Sequence, residues 1–151
     1  MSNQNVATPT EFVRAIEDKI IFDEFACDMA ADKYNHKAPF YFTEKCNSLA
    51  INWPLGCWLW LNPTFINLTD WIDKCKEQKA RGCKTVTIWP LSSDSNQLDV
   101  WMQNRVIIVH GRIWPLNVRS CMLTVWDNNA FPGISHVSWD RSLGVMEWLK
   151  R

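Results

Sequence analysis

A chain of 151 residues with 47% hydrophobic content is long enough to bury one core and short for two, so a single domain spanning 1–151 is expected. Sixteen Lys plus Arg balance sixteen Asp plus Glu, which excludes a protein that grips nucleic acid over a long basic face, though not an enzyme that touches it briefly. No apolar run approaches the roughly 20 residues of a membrane span, so no membrane partner is expected.

The opening MSNQNVATPT has neither the basic start nor the apolar run of a secretory leader. The six cysteines (27, 46, 57, 75, 83 and 121) contain no C-x-x-C and no zinc-ligand spacing with histidine, so no metal is expected. They read as reduced thiols of a cytoplasmic protein, mainly core fillers. TPTEF is a helix start: Thr8 as cap, Pro9 at the first helical position and Glu11 three after the cap, forming a capping box. Phe12, Val13, Ile16 and Ile20 follow at helical spacing. FACDMAAD (25–32) is a short strand ending at Asp28, and 33–55 is mixed, aromatic and interrupted by Pro39 and Pro54.

The four apolar residues Trp58 to Leu61 form the second strand, which stops at Asn62-Pro63-Thr64-Phe65. Leu68, Trp71, Ile72 and Cys75 then mark an amphipathic helix over 67–80, stopped by Gly82. KTVTIWP (84–90) is a third strand closed by a proline. The polar loop LSSDSNQ leads to a short helix around Leu98 to Gln103. RVIIVHGRIW and CMLTVWD supply two or three more strands, and SLGVMEWLKR reads as a terminal helix or a tail. There is no repeat, low-complexity segment or linker.

Strands alternating with helices imply an α/β domain with a mostly parallel central sheet flanked by helices, and such sheets bind ligands beyond the carboxyl ends of their strands. Three expected strands end in Asp28, Asn62-Pro63 and Pro90, which would share that edge. The Asn62 side-chain oxygen and the Pro63 carbonyl offer two acceptors in a relation fixed by the proline ring, which suits the two hydrogens of an exocyclic amine. Phe65 offers a face for a planar base. Asn-Pro is also a common start of a turn, and Phe65 also suits a core. Asp28 suits a ligand's hydroxyl or amine groups, or a helix cap. No glycine-rich phosphate loop is present, so any cofactor is expected to lack phosphate, as S-adenosylmethionine does. His36, His110 and His136 are scattered, no nucleophilic serine has a G-x-S-x-G setting, and Ser92 to Ser95 read as polar loop.

Taken in order from Thr8 to Trp126, these segments resemble the phage-encoded DNA N6-adenine methyltransferases (the phage Dam-like family). TPTEFVRAIED is similar to its Thr-Pro helix, FACDMAAD to its Asp-x-Ala-Ala strand end, and WLWLNPTF to its Asn-Pro-Pro-Tyr/Phe strand end. WIDKCKEQKARGCKTVTIWP resembles the helix, glycine and strand that follow, and VIIVHGRIW its Gly-Arg hairpin. The resemblance implies a minimal Rossmann-like fold, S-adenosylmethionine as donor, and adenine N6 in double-stranded DNA as acceptor, the base being flipped into the site. Asn62 and Pro63 would then orient the amine and Phe65 stack on the base, while Thr8, Pro9, Asp28 and Ala30 would line the cofactor pocket. The chain departs from the family where Thr64 replaces the second proline. It departs again where Leu91, Ser92 and Ser93 follow Pro90 in place of an arginine, and where PLNVRS shortens a proline-rich segment.

The function implied is methylation of adenine in DNA, protecting phage DNA from restriction in the host cytoplasm. With no separate recognition domain, the enzyme is expected to be weakly sequence-selective or to act as a homodimer. The alternative is a catalytically inactive methyltransferase fold that binds or inhibits a host defence or nucleic-acid enzyme, which a contiguous exposed cluster drawn from the ten tryptophans would favour. A third reading is another base-modifying or nucleotide-modifying enzyme on the same scaffold.

Overall fold

The computed structural model describes residues 8–63, 66–90, 98–113 and 120–150. Helix α1 (Thr10–Ile16) runs into a wider π turn at Glu17–Ile21. It buries Phe12, Val13 and Ile16 completely, as their spacing predicts. Each such side chain contributes about 2 kcal/mol by leaving water. The helix nevertheless starts later than the capping box implies. Pro9 is the N-cap residue, with φ −57° and ψ 138°, and no side chain caps the first turn. The Pro9 carbonyl accepts from the amides of Phe12 (3.1 Å) and Val13 (3.3 Å). The Thr8 hydroxyl, one residue before the N-cap, accepts instead from Asn62, 54 residues on.

Strands β1 (Phe25–Asp28), β2 (Phe40–Tyr41), β3 (Trp58–Leu61) and β4 (Lys84–Pro90) are followed by β5 (Arg105–His110), β6 (Cys121–Trp126), β7 (Gly133–Asp140) and β8 (Val145–Trp148). They form one sheet in the order β2-β1-β3-β4-β6-β5-β7-β8. β1 pairs parallel with β2 and β3, β3 with β4, and β5 with β7. β6 is antiparallel to both β4 and β5, and β8 to β7. All strands except β6 and β8 therefore run the same way, as expected of a mostly parallel α/β sheet. Helices α2 (Leu68–Arg81, closed by Gly82) and α3 (Leu98–Gln103) complete the elements.

Strand β3 shows why its sequence is an unbroken apolar run. All four residues are buried, Trp58 and Trp60 with α1 on one face of the sheet, Leu59 and Leu61 with Trp71, Ile72 and Cys75 of α2 on the other. A strand covered on both faces cannot alternate apolar with polar residues. Seven tryptophans (53, 58, 60, 71, 89, 126 and 139) are buried, and among the described residues only Trp148 reaches 39% exposure. The described tryptophans thus form no exposed cluster; Trp114 lies outside the described residues.

The carboxyl-terminal segment differs from expectation. SLGVMEWLKR is neither helix nor tail: Val145–Trp148 is strand β8, hairpinned onto β7 with Trp139 opposite Met146. Local propensity favours helix there, but the turn is locked by Asp140, whose Oδ1 accepts from the amides of Ser142 (2.9 Å) and Leu143 (3.1 Å). Burial of Met146 beneath α1 then fixes the register, beside Trp139, whose ring meets Phe12 edge-on at 5.1 Å. Within 33–55 the structure forms β2 and two short 3₁₀ turns, Glu44–Cys46 and Ser48–Ala50. No described helix is long and apolar enough to cross a membrane, and the described residues hold no group of three or more His, Cys, Asp or Glu side chains that could hold a metal ion.

Candidate active site at the carboxyl edge of the sheet

The adjacent parallel strands β1, β3 and β4 bring Asp28, Asn62-Pro63 and Pro90 to one edge. Asp28 lies opposite Trp60, and Leu61 opposite Thr87. The Met29 amide donates to the Trp60 carbonyl at 2.9 Å, carrying the β1–β3 pairing one step past Asp28. Thr64 and Phe65, which complete the tetrapeptide, lie outside the described residues, as do Ser92 to Ser95.

Asn62 is half-buried and Pro63 buried. The Asn62 Nδ2 donates to Thr8 Oγ1 at 2.9 Å. Among the described residues nothing donates to its Oδ1, which remains an acceptor at the strand end. Thr8 is 1% exposed and is held by its position just before Pro9 and α1. Sequence pattern places Thr8 and Asn62 at the same edge; it does not reveal that they bond to each other.

Asp28 is arranged differently. It is 4% exposed, and its Oδ1 accepts from the Ala30 amide (3.2 Å) while its Oδ2 accepts from the Lys37 amide (2.9 Å). The carboxylate thereby closes the loop between β1 and β2. Burial raises its pKa above the ordinary carboxylate value, an effect opposed by those two amides and by the charges of Lys37 and His36. Burial also lowers the Lys37 ammonium, whose Nζ donates to Asn35 Oδ1 at 3.1 Å. The neighbouring Cys27 thiol is pushed up to about 12 by burial, and further by Asp28 and Cys57. All six cysteines are free thiols.

Four contacts join residues whose partnership the local sequence pattern does not reveal. Arg14 pairs with Glu17, whose Oε2 accepts from the Phe25 amide at 2.7 Å, and Arg14 Nη2 donates to the Lys37 carbonyl at 3.0 Å. Together these fasten α1 to the start of β1 and to the Asp28 loop. The i, i+3 spacing of Arg14 and Glu17 is the only local signal for them. The fourth is a pairing of histidines: His110 Nε2 lies 2.8 Å from His136 Nδ1, across β5 and β7. It could not be anticipated without β7.

Next to His110, Gly111 explains the glycine of the Gly-Arg dipeptide. Its φ is 116°, and a Cβ there would lie 2.3 Å from the Trp139 carbonyl oxygen. Only glycine allows β7 to approach so closely. The following Arg112 is exposed at the same carboxyl edge of β5.

Among the described residues the edge offers an amide oxygen, a proline-constrained backbone and a buried carboxyl group, and no nucleophile bonded to a base. That set can orient and polarise an amine; it does not supply a hydrolytic centre. A family model described as DNA N-6-adenine-methyltransferase (Dam) matches residues 2–120. No curated protein matches the chain.

Proposed function

The chain belongs to the DNA N-6-adenine-methyltransferase (Dam) family, and from that premise we propose that it transfers a methyl group from S-adenosylmethionine to N6 of adenine in double-stranded DNA. The observation that carries this reading is Asn62 at the end of β3, its Nδ2 held by Thr8 and its Oδ1 unclaimed among the described residues. In this reading residues 1–151 are one minimal Rossmann-like domain, encoded by a phage and acting in the host cytoplasm to protect viral DNA from restriction.

The residues present fit such a cofactor. The chain has no glycine-rich phosphate cradle, and the cofactor has no phosphate. Its sulfonium and ammonium are cations, and Asp28 places a buried carboxylate at the edge where they would lie. Thr8, Pro9, Asp28 and Ala30 would surround it. Both Asp28 oxygens already accept backbone amides, so Asp28 acts mainly by shaping the β1 loop and by its charge. When bound, S-adenosylmethionine supplies the electrophilic methyl carbon, whose bond to sulfur breaks as its bond to N6 forms.

The protein's part is orientation. Asn62 Oδ1 and the Pro63 carbonyl accept the two amine hydrogens, drawing the N6 lone pair out of conjugation with the ring and toward the methyl. Phe65 stacks on the everted base. The proton released from N6 needs only solvent, so no base at the amine is required. Thr64 changes neither the Asn62 side chain nor the Pro63 carbonyl, and so leaves both acceptors in the chain.

Calorimetric titration with S-adenosylmethionine tests the cofactor assignment. Saturable binding with one cofactor per chain is expected. No heat at millimolar cofactor would contradict it and favour a fold retained for binding another macromolecule.

A further inference from the structure

Resting on the amine-orienting role proposed for Asn62, we infer that Thr8 is a positioning residue whose hydroxyl sets the orientation of the Asn62 amide. A threonine before Pro9 at a helix start ought to cap, yet α1 has no side-chain cap and the Thr8 oxygen accepts from Asn62 Nδ2 instead, at 2.9 Å. The terminal torsion of asparagine is broad, so an unpartnered amide would present its oxygen and nitrogen interchangeably. With Nδ2 presented, donor would face donor at the substrate amine. Engaging Nδ2 leaves Oδ1 for that amine.

The position of Thr8 is itself over-determined. Pro9 restricts its backbone to extended conformations, and the Pro9 carbonyl accepts the amides of Phe12 and Val13. Phe12, Val13 and Ile16 are each 0% exposed, which pins the helix to the sheet. Thr8 is 1% exposed and Asn62 half-buried, so the bond is shielded from competing water. The start of α1 therefore controls an atom at the end of β3.

Two variants separate this role from a cofactor contact. Thr8→Val keeps the shape and removes the acceptor, whereas Thr8→Ser keeps the hydroxyl. Expected for Thr8→Val is a fall in kcat of about tenfold to hundredfold, the scale of a misplaced polar group. Valine keeps the shape that the buried Thr8 side chain gives the cofactor pocket, so affinity for S-adenosylmethionine by calorimetry should fall far less than kcat, and Thr8→Ser should recover most of the rate. Wild-type kcat in Thr8→Val, a loss explained by weaker cofactor binding, or a Ser variant no better than Val would each overturn the inference. Side-chain amide NMR of the wild-type protein needs no variant. One slowly exchanging, hydrogen-bonded Asn62 Nδ2 proton is expected, and two fast-exchanging protons would overturn the inference. A wild-type protein that shows this proton but transfers no methyl would defeat the proposed function while leaving the bond standing.

Discussion

The ends of β1 and β3 lie side by side on one sheet edge, each finishing in a short polar side chain, yet the two are organised in opposite ways. Asp28 is sealed, with both carboxylate oxygens accepting amides from its own loop. Asn62 is half-open: one atom is tied to Thr8 and the other is unclaimed among the described residues. A polar residue at a strand end is thus not a site by virtue of its position. What matters is how many of its hydrogen-bonding atoms the fold has already used.

The largest difference should appear on substituting each end. Asn62→Ala should lower methyl transfer by at least about hundredfold, the scale seen when a positioned catalytic group is removed, with little change in cofactor affinity. Asp28→Ala should instead leave the half-buried Ala30 and Lys37 amides without their partner. At about 1–3 kcal/mol for each orphaned group, a loss of about 3 kcal/mol in urea unfolding is expected. If Asp28→Ala melted like wild type, the β1 end would not be the closed structure described.

A subtler effect concerns pH. A carboxyl whose folded pKa is raised contributes stability that is complete below its unfolded pKa, near 3.8, and is lost as pH rises through the folded value. The stability of wild type relative to Asp28→Asn should therefore drift against wild type as pH rises from about 4. An unchanged difference across that range would mean that burial does not govern this group.

The smallest effect is one of labelling. Cys46 is exposed and its thiol is lowered by a hydrogen bond with Thr43, whereas Cys27 beside Asp28 is pushed up to about 12 and Cys75 is raised by full burial. A thiol reagent at pH 8 should reach Cys46 first, and Cys27 and Cys75 only as the protein unfolds. Early labelling of Cys27, read by peptide mass, would show that the β1 end opens in solution.

Much of the edge was legible because it depends on local pattern. The β3 run and the α2 periodicity follow from burial on two faces or one, and Asp28, Asn62-Pro63 and Pro90 mark where three strands stop. What was not legible is non-local. The same local residues that spell a capping box around Thr8 say nothing of a partner 54 positions away. The carboxyl-terminal hairpin was hidden for a related reason: Leu143, Met146 and Leu149 fit helical spacing, and only pairing with β7 makes Met146 a strand residue. The histidine pair was lost with it, since His136 belongs to β7.

The central claim is that the open end of β3 presents an acceptor to adenine N6. Its most direct test is transfer of labelled methyl from S-adenosylmethionine to adenine-containing duplex DNA, followed by digestion and separation of the nucleosides. The account predicts label in N6-methyladenine with wild type and none above background with Asn62→Ala. Absence of label on adenine from a protein that binds the cofactor, or equal labelling by the two proteins, would contradict it.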